Sequence, residues 1–125
     1  MKIIPIIVII AIFLLLFVAD RGTDMEINRR ITASEALAKM QQQAIILDVR
    51  TAREFATGRI PGAILLPDYT IRERAHLVLP DKNALILVYC RSGVRSNEAL
   101  HELLALGYTN VFDFGGIIDW PYERE

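Results

Sequence analysis

Short runs of consecutive apolar residues alternate along the chain with longer stretches whose apolar positions recur at helical spacing. The runs at residues 44–49 and 84–89 predict strands buried on both faces, the pattern of a parallel sheet. Weaker runs at residues 63–66 and 111–114 predict two more strands, stopped by Pro67 and by Gly115-Gly116. Residues 28–31 predict a short edge strand. Between these runs the period changes. Thr32-Ala33-Ser34-Glu35 and Thr51-Ala52-Arg53-Glu54 both have the form of a capping box, each opening a helix. The first helix offers Ala36, Leu37 and Met40 as its apolar face, and Gly58 ends the second. Residues 68–79 predict a weaker helix with Tyr69, Ile71 and Leu77 turned inward, followed by a turn at Pro80-Asp81-Lys82-Asn83. Residues 94–106 predict a helix with Ala99, Leu100, Leu103 and Leu104 on one side and Gly107 as its stop. Strands joined by helical crossovers imply an α/β domain with a parallel sheet, and ligands of such sheets bind beyond the carboxyl ends of the strands. Asp48 and Cys90 stand at those ends.

One stretch fits neither period. Residues 3–19 contain only aliphatic side chains, two Phe and Pro5, preceded by Lys2 and followed by Asp20-Arg21. As a helix the run would be about 25 Å long, just under the thickness of a hydrocarbon core. Three readings compete: a retained transmembrane anchor, a cleaved signal peptide and a buried core helix. Cleavage requires small residues at the last and third-last positions; Ala19 could serve as the last, but Phe17 is then too bulky. A run apolar on every face suits lipid better than a protein core. The expectation is therefore an anchor over residues 1–19, a polar tether over residues 20–27 and a folded domain over residues 28–125. The short basic head favours N-inside, which places the domain outside the cytoplasm at the cell membrane; secretion after cleavage is the alternative. Arg21, Arg29 and Arg30 on the far side weaken that orientation.

Composition narrows the function. With 125 residues and 53% hydrophobic, an excess the N-terminal run explains, the chain has room for one modest core. A net charge of -1 without a basic stripe gives no reason to expect nucleic acid. One cysteine cannot make an intramolecular disulfide, and no Cys/His cluster has metal-ligand spacing, so neither metal nor cofactor is expected. His76 and His101 read as surface or structural residues.

The single cysteine is the candidate centre. Cys90 directly follows a buried strand and precedes a helix beginning near Val94, with Gly93 allowing backbone amides to converge between them. The free amides and dipole of that helix aim at the same point, and Arg91 and Arg95 add positive charge. All of these favour thiolate, the attacking form of cysteine, and the same cradle would bind an anion. An inert buried cysteine would have no reason to sit among cations.

Cys90-Arg91-Ser92-Gly93-Val94-Arg95-Ser96 resembles the active-site loop of the single-domain rhodanese-like (thiosulfate sulfurtransferase-like) family. Leu47-Asp48-Val49-Arg50 with Glu54-Phe55 resembles that family's LDVR…EF element. Residues 58–63 resemble its GHIPGA, with Arg59 where the family usually has His. Gly115-Gly116 with Trp120 resembles its closing GG…W element, so the similarity spans about residues 28–122. The resemblance implies a three-layer α/β/α domain with a five-stranded parallel sheet. It also implies a ping-pong reaction in which a donor such as thiosulfate loads Cys90 as a persulfide that a thiol or cyanide unloads. Under it, Arg91, Ser92, Gly93, Val94 and Arg95 form the loop that binds the persulfide, and Asp48 and Arg50 support it. Glu54 reads better as a helix cap, and Gly62, Gly115 and Trp120 as turn and packing residues. Two rivals remain. Cdc25-type phosphatases and arsenate reductases share the fold but have a loop one residue longer than the six residues from Cys90 to Arg95. Non-enzymatic rhodanese modules commonly lack the cysteine. With no second cysteine, the acceptor must come from solution or a partner protein.

Overall fold

The computed structural model describes residues 6–12 and 28–125. Residues 6–12 are helical (α1), and the rest of the N-terminal run and tether lie outside the described residues. Among the described residues no helix is long and apolar enough to cross a membrane.

The domain then runs α2 (Ala33–Met40), β1 (Ile45–Asp48), α3 (Ala52–Thr57), β2 (Ile64–Leu65), a 3-10 turn (Asp68–Thr70), α4 (Ile71–Val78), β3 (Ile86–Cys90), α5 (Val94–Ala105), β4 (Val111–Gly116) and a second 3-10 turn (Ile117–Asp119). All strand pairs are parallel, in the order β2-β1-β3-β4. The chain leaves β1 toward one edge and β3 toward the other, so the carboxyl ends of these two neighbours flank a switch point.

The sheet has four strands where five are expected. Residues 28–31 contribute a single bridge, Arg30 to Asp113, with backbone bonds from Ile31 N to the Asp113 carbonyl (2.9 Å) and from Asp113 N to the Arg29 carbonyl (2.8 Å). The chain cannot extend that pairing because Thr32 immediately caps α2: its side chain accepts from Glu35 N while the Glu35 carboxylate accepts from Thr32 N. Thr51 and Glu54 make the same reciprocal cap on α3. Both helix starts read from sequence stand where expected.

Helices cover both faces. On one, α4 and α5 pack Ile71, Ala75, Ala99, Leu100 and Leu103 onto Leu47, Ile86 and Val88. On the other, Ala36 of α2 and Ile117 and Trp120 of the C-terminal segment pack onto Leu87, Tyr89 and Phe114. Every residue of β3 is buried, which is why its sequence is apolar without alternation. The inward face of residues 68–79 differs from expectation. Tyr69 and Leu77 are 75% and 66% exposed, and the buried positions are Ile71, Ala75 and Leu79. Residues 68–70 wind as a 3-10 turn, so the α-period begins only at Ile71 and selects its i+4 and i+8 neighbours. Leu37 likewise faces outward, leaving Ala36 as the buried contact of α2.

Leu103 is fully buried between the last turn of α5 and the sheet. Leu103→Ala is expected to cost about 2–5 kcal/mol of unfolding free energy, measured by urea denaturation; a loss under about 1 kcal/mol would contradict this packing.

Candidate active site

Cys90 is the last residue of β3, one position earlier in the fold than the loop placement expected from sequence, and it pairs with Gly116 across an irregularity in the β3–β4 ladder. Its side chain points to the α5 face and is fully buried. The Gly93 amide donates to Sγ at 3.0 Å. Gly93 is the N-cap of α5 at φ +103, a left-handed conformation that lets the loop fold back over the sulfur. It provides no side-chain cap, so first-turn amides of α5 remain open toward the cradle.

Ser96 joins this network from the first turn of α5. The Cys90 thiol lies 3.5 Å from Ser96 Oγ, whose hydroxyl reaches the carbonyls of Gly93 (3.1 Å) and Gly115 (3.4 Å). A fully buried serine needs such partners, and these tie α5, the loop and β4 together. Ser96 closes the loop motif in the sequence but was not singled out there; its burial on the sheet side of α5 is what assigns it.

Of the two loop arginines, Arg91 is exposed and its carbonyl accepts from Ile118 N at 3.3 Å. Arg95 turns aside. Its two terminal nitrogens donate to Glu54 Oε1 (2.7 Å) and Oε2 (2.9 Å). These bonds, with help from Thr51, hold the Glu54 carboxyl down to about 2 against the opposing effect of partial burial. The same pairing raises the Arg95 guanidinium above its ordinary value, with smaller contributions from Cys90 and Asp68. Glu54 therefore does more than cap α3. Ser92 and Val94 are both exposed at the rim.

Asp48 and Arg50 stand behind the loop, not in it. Asp48 lies beside Tyr89 in the sheet, with its side chain on the face opposite Sγ. Its carboxylate is fully buried and accepts from the Tyr89 hydroxyl (2.6 Å), the Arg50 amide (2.9 Å) and the Arg50 guanidinium (2.7 and 3.0 Å). Arg50 also donates to the Gly58 carbonyl at 2.6 Å, and Tyr89 accepts from the Ile60 amide at 3.2 Å. Burial and the Asp48 bond push the Tyr89 hydroxyl well above its usual value, so it stays protonated and donating. Both Asp48 oxygens are bonded, which a buried ion pair needs if it is to offset the cost of desolvation. Its effect is to fix Tyr89, the residue before Cys90. Tyr89 itself gave no sign in the sequence beyond its place in an apolar run.

β4 presses directly on the loop at Gly116, where an added Cβ would collide with the Arg91 carbonyl and lie 2.7 Å from Ser92 Cα. Among the described residues there is no cluster of three or more His, Cys, Asp or Glu able to hold a metal ion.

A buried cysteine at a strand end, under a six-residue loop that opens a helix in a parallel α/β sheet, defines a class of α/β domains centred on a cysteine loop. The rhodanese-like domain family matches residues 32–121, and the chain belongs to that family. It is 39% identical over 80 residues to a sulfurtransferase of Allochromatium vinosum, covering 63% of this chain and 73% of that protein. It is 37% identical over 73 residues to the thiosulfate sulfurtransferase PspE of Escherichia coli, covering 58% and 70% respectively. Among solved structures, a rhodanese with anions from E. coli superposes with a TM-score of 0.62 at 33% identity, covering 66% of this chain and 96% of that one.

Gly116→Ala is expected to displace the loop and cost about 1–3 kcal/mol, the range for overpacking a close contact. The check is thermal unfolding alongside the rate of Cys90 alkylation; a variant matching the parent in both would refute the close approach.

Proposed function

We propose that the protein is a sulfurtransferase working through a Cys90 persulfide. The observation carrying this reading is the Gly93 amide at 3.0 Å from the buried Sγ, at the uncapped N-terminus of α5. In the first half-reaction the Cys90 thiolate attacks the outer sulfur of a donor such as thiosulfate. The donor's S–S bond breaks, sulfite leaves with the bonding pair, and the new Sγ–S bond holds the transferred sulfur. The terminal sulfur is anionic, and the open first-turn amides of α5 with Arg91 at the rim suit it. In the second half-reaction a thiolate or cyanide attacks that sulfur and Cys90 leaves as thiolate, ready for another cycle. No cofactor or metal is required by either step. Because Cys90 is the chain's one cysteine, the acceptor is a small molecule or a partner protein's thiol.

The proposal includes a location. Residues 3–19 anchor the domain in the cell membrane, residues 20–27 tether it, and the domain faces away from the cytoplasm. Exposure of the isoleucines in residues 6–12 supports this, since so apolar a helix requires a cover.

The chemistry predicts that incubation with thiosulfate adds about 32 Da, one sulfur, to the intact protein and that a thiol removes it. Cys90→Ser should abolish the adduct and the coupled release of sulfite. A parent protein that gains no such mass with any sulfane donor would sink the enzyme reading in favour of a binding module. For the location, protease added to intact expressing cells should digest a C-terminally tagged domain; digestion only after lysis would reverse the orientation.

A further inference from the structure

We propose that Glu54 is a positioning residue that sets the charge felt by the Cys90 sulfur, acting through its two-bonded ion pair with Arg95; this rests on the sulfurtransferase reading above. Arg95 is the second residue of α5 and belongs by sequence to the sulfur-binding loop, yet both of its terminal nitrogens are engaged by Glu54 at 2.7 and 2.9 Å. The two side chains are only 28% and 26% exposed, so solvent does not wash the interaction out. Glu54 cannot follow Arg95 elsewhere. Its Oε1 also accepts from the Thr51 amide (3.3 Å) and hydroxyl (3.2 Å), which clamps the carboxylate to the start of α3. One carboxylate thus closes a helix cap and holds a loop cation in place.

Arg95 interacts through space with the Cys90 sulfur and with Asp68 of the 3-10 turn, and Glu54 of α3 bonds it directly, while Arg91 stands exposed in the loop. Asp113 of β4 is buried, with Oδ1 accepting from Gly115 N (2.9 Å) and Oδ2 lying 3.6 Å from Arg30 Nε. Asp48 and Arg50 face the other side of the sheet and neutralise one another. With Arg95 matched by Glu54, removing the Glu54 charge leaves a full cation at the second residue of the helix that opens over the sulfur.

Sγ has two tasks in sulfur transfer, nucleophile toward the donor and leaving group toward the acceptor. A sulfur that binds protons more weakly leaves faster but attacks more slowly. Glu54, by cancelling Arg95, holds Sγ toward the attacking side of that balance.

Glu54→Gln isolates the charge, because Gln can still complete the capping box and still offer Arg95 an oxygen acceptor. The readout is the ratio of Cys90 alkylation rates with anionic iodoacetate and neutral iodoacetamide. In E54Q the ratio should rise about threefold, the size expected when one negative charge that acts on the sulfur through Arg95 is deleted. E54D, which keeps the charge, should match the parent. In the half-reactions, sulfur loading per thiolate should slow and unloading to a thiol should quicken. Arg95→Gln provides an independent arm: it leaves Glu54 unbalanced, and the ratio should fall below that of the parent. A folded E54Q with an unchanged or lower ratio overturns the proposal, as does an R95Q ratio equal to the parent's. Alkylation needs no sulfur donor, so a protein that shows the ratio change but never gains sulfur overturns the sulfurtransferase reading alone.

Discussion

Position 116 tolerates no side chain, because a Cβ there would collide with the Arg91 carbonyl and sit 2.7 Å from Ser92 Cα. This near-contact of two backbones is what the site depends on. It lets the end of β4 lie directly against the loop, where Ile118 N grips the Arg91 carbonyl and Gly115 receives Ser96. Gly93 meets the same wall from the other side: a Cβ on it would lie 3.5 Å from Gly115 Cα. Two glycines of β4 and one of the loop therefore define how far the loop can fold over the sulfur. Any larger residue at 116 would push the loop outward and with it the Gly93 amide.

The sulfur sits between two polar systems of different character. Behind it, Asp48, Arg50 and Tyr89 form a buried network in which each charge and hydroxyl has a partner. Such a network resists rearrangement, since losing one member strands the others in a low-dielectric interior. In front, Arg91 is exposed and Arg95 is shared with Glu54. The rear network fixes where β3 ends, and the front cations adjust the charge at that end. Rigidity and tuning are thus assigned to opposite faces of one sheet, separated by the alternation of Tyr89 and Cys90 along β3.

Much of this was legible from residues near one another in the chain. Both capping boxes form because a threonine and a glutamate three apart meet on the first turn of any helix they open. β1 and β3 are continuous apolar runs because helices cover both faces of the sheet. Cys90, Gly93 and the start of α5 are contiguous, so the cysteine and the amide that holds its sulfur could be read together. The reading failed where a local period gave the wrong phase. Tyr69 and Leu77 face solvent because a 3-10 turn shifts the start of α4, and residues 28–31 give one bridge because Thr32 turns the chain into α2.

The sequence by itself determined the α/β alternation, the helix starts and the place of the single cysteine between a strand and a helix, each encoded within a few residues by hydrogen-bonding reach or apolar period. Tertiary structure alone decided the rest. Tyr89 bonds Asp48, and Arg95 bonds Glu54, across 41 positions of sequence in each case. Gly116 must be glycine because of Arg91, which lies in the loop after the neighbouring strand. No periodicity encodes such pairs. They exist because a parallel sheet brings the carboxyl ends of separate strands to one edge, and that edge is assembled only when the crossovers have packed.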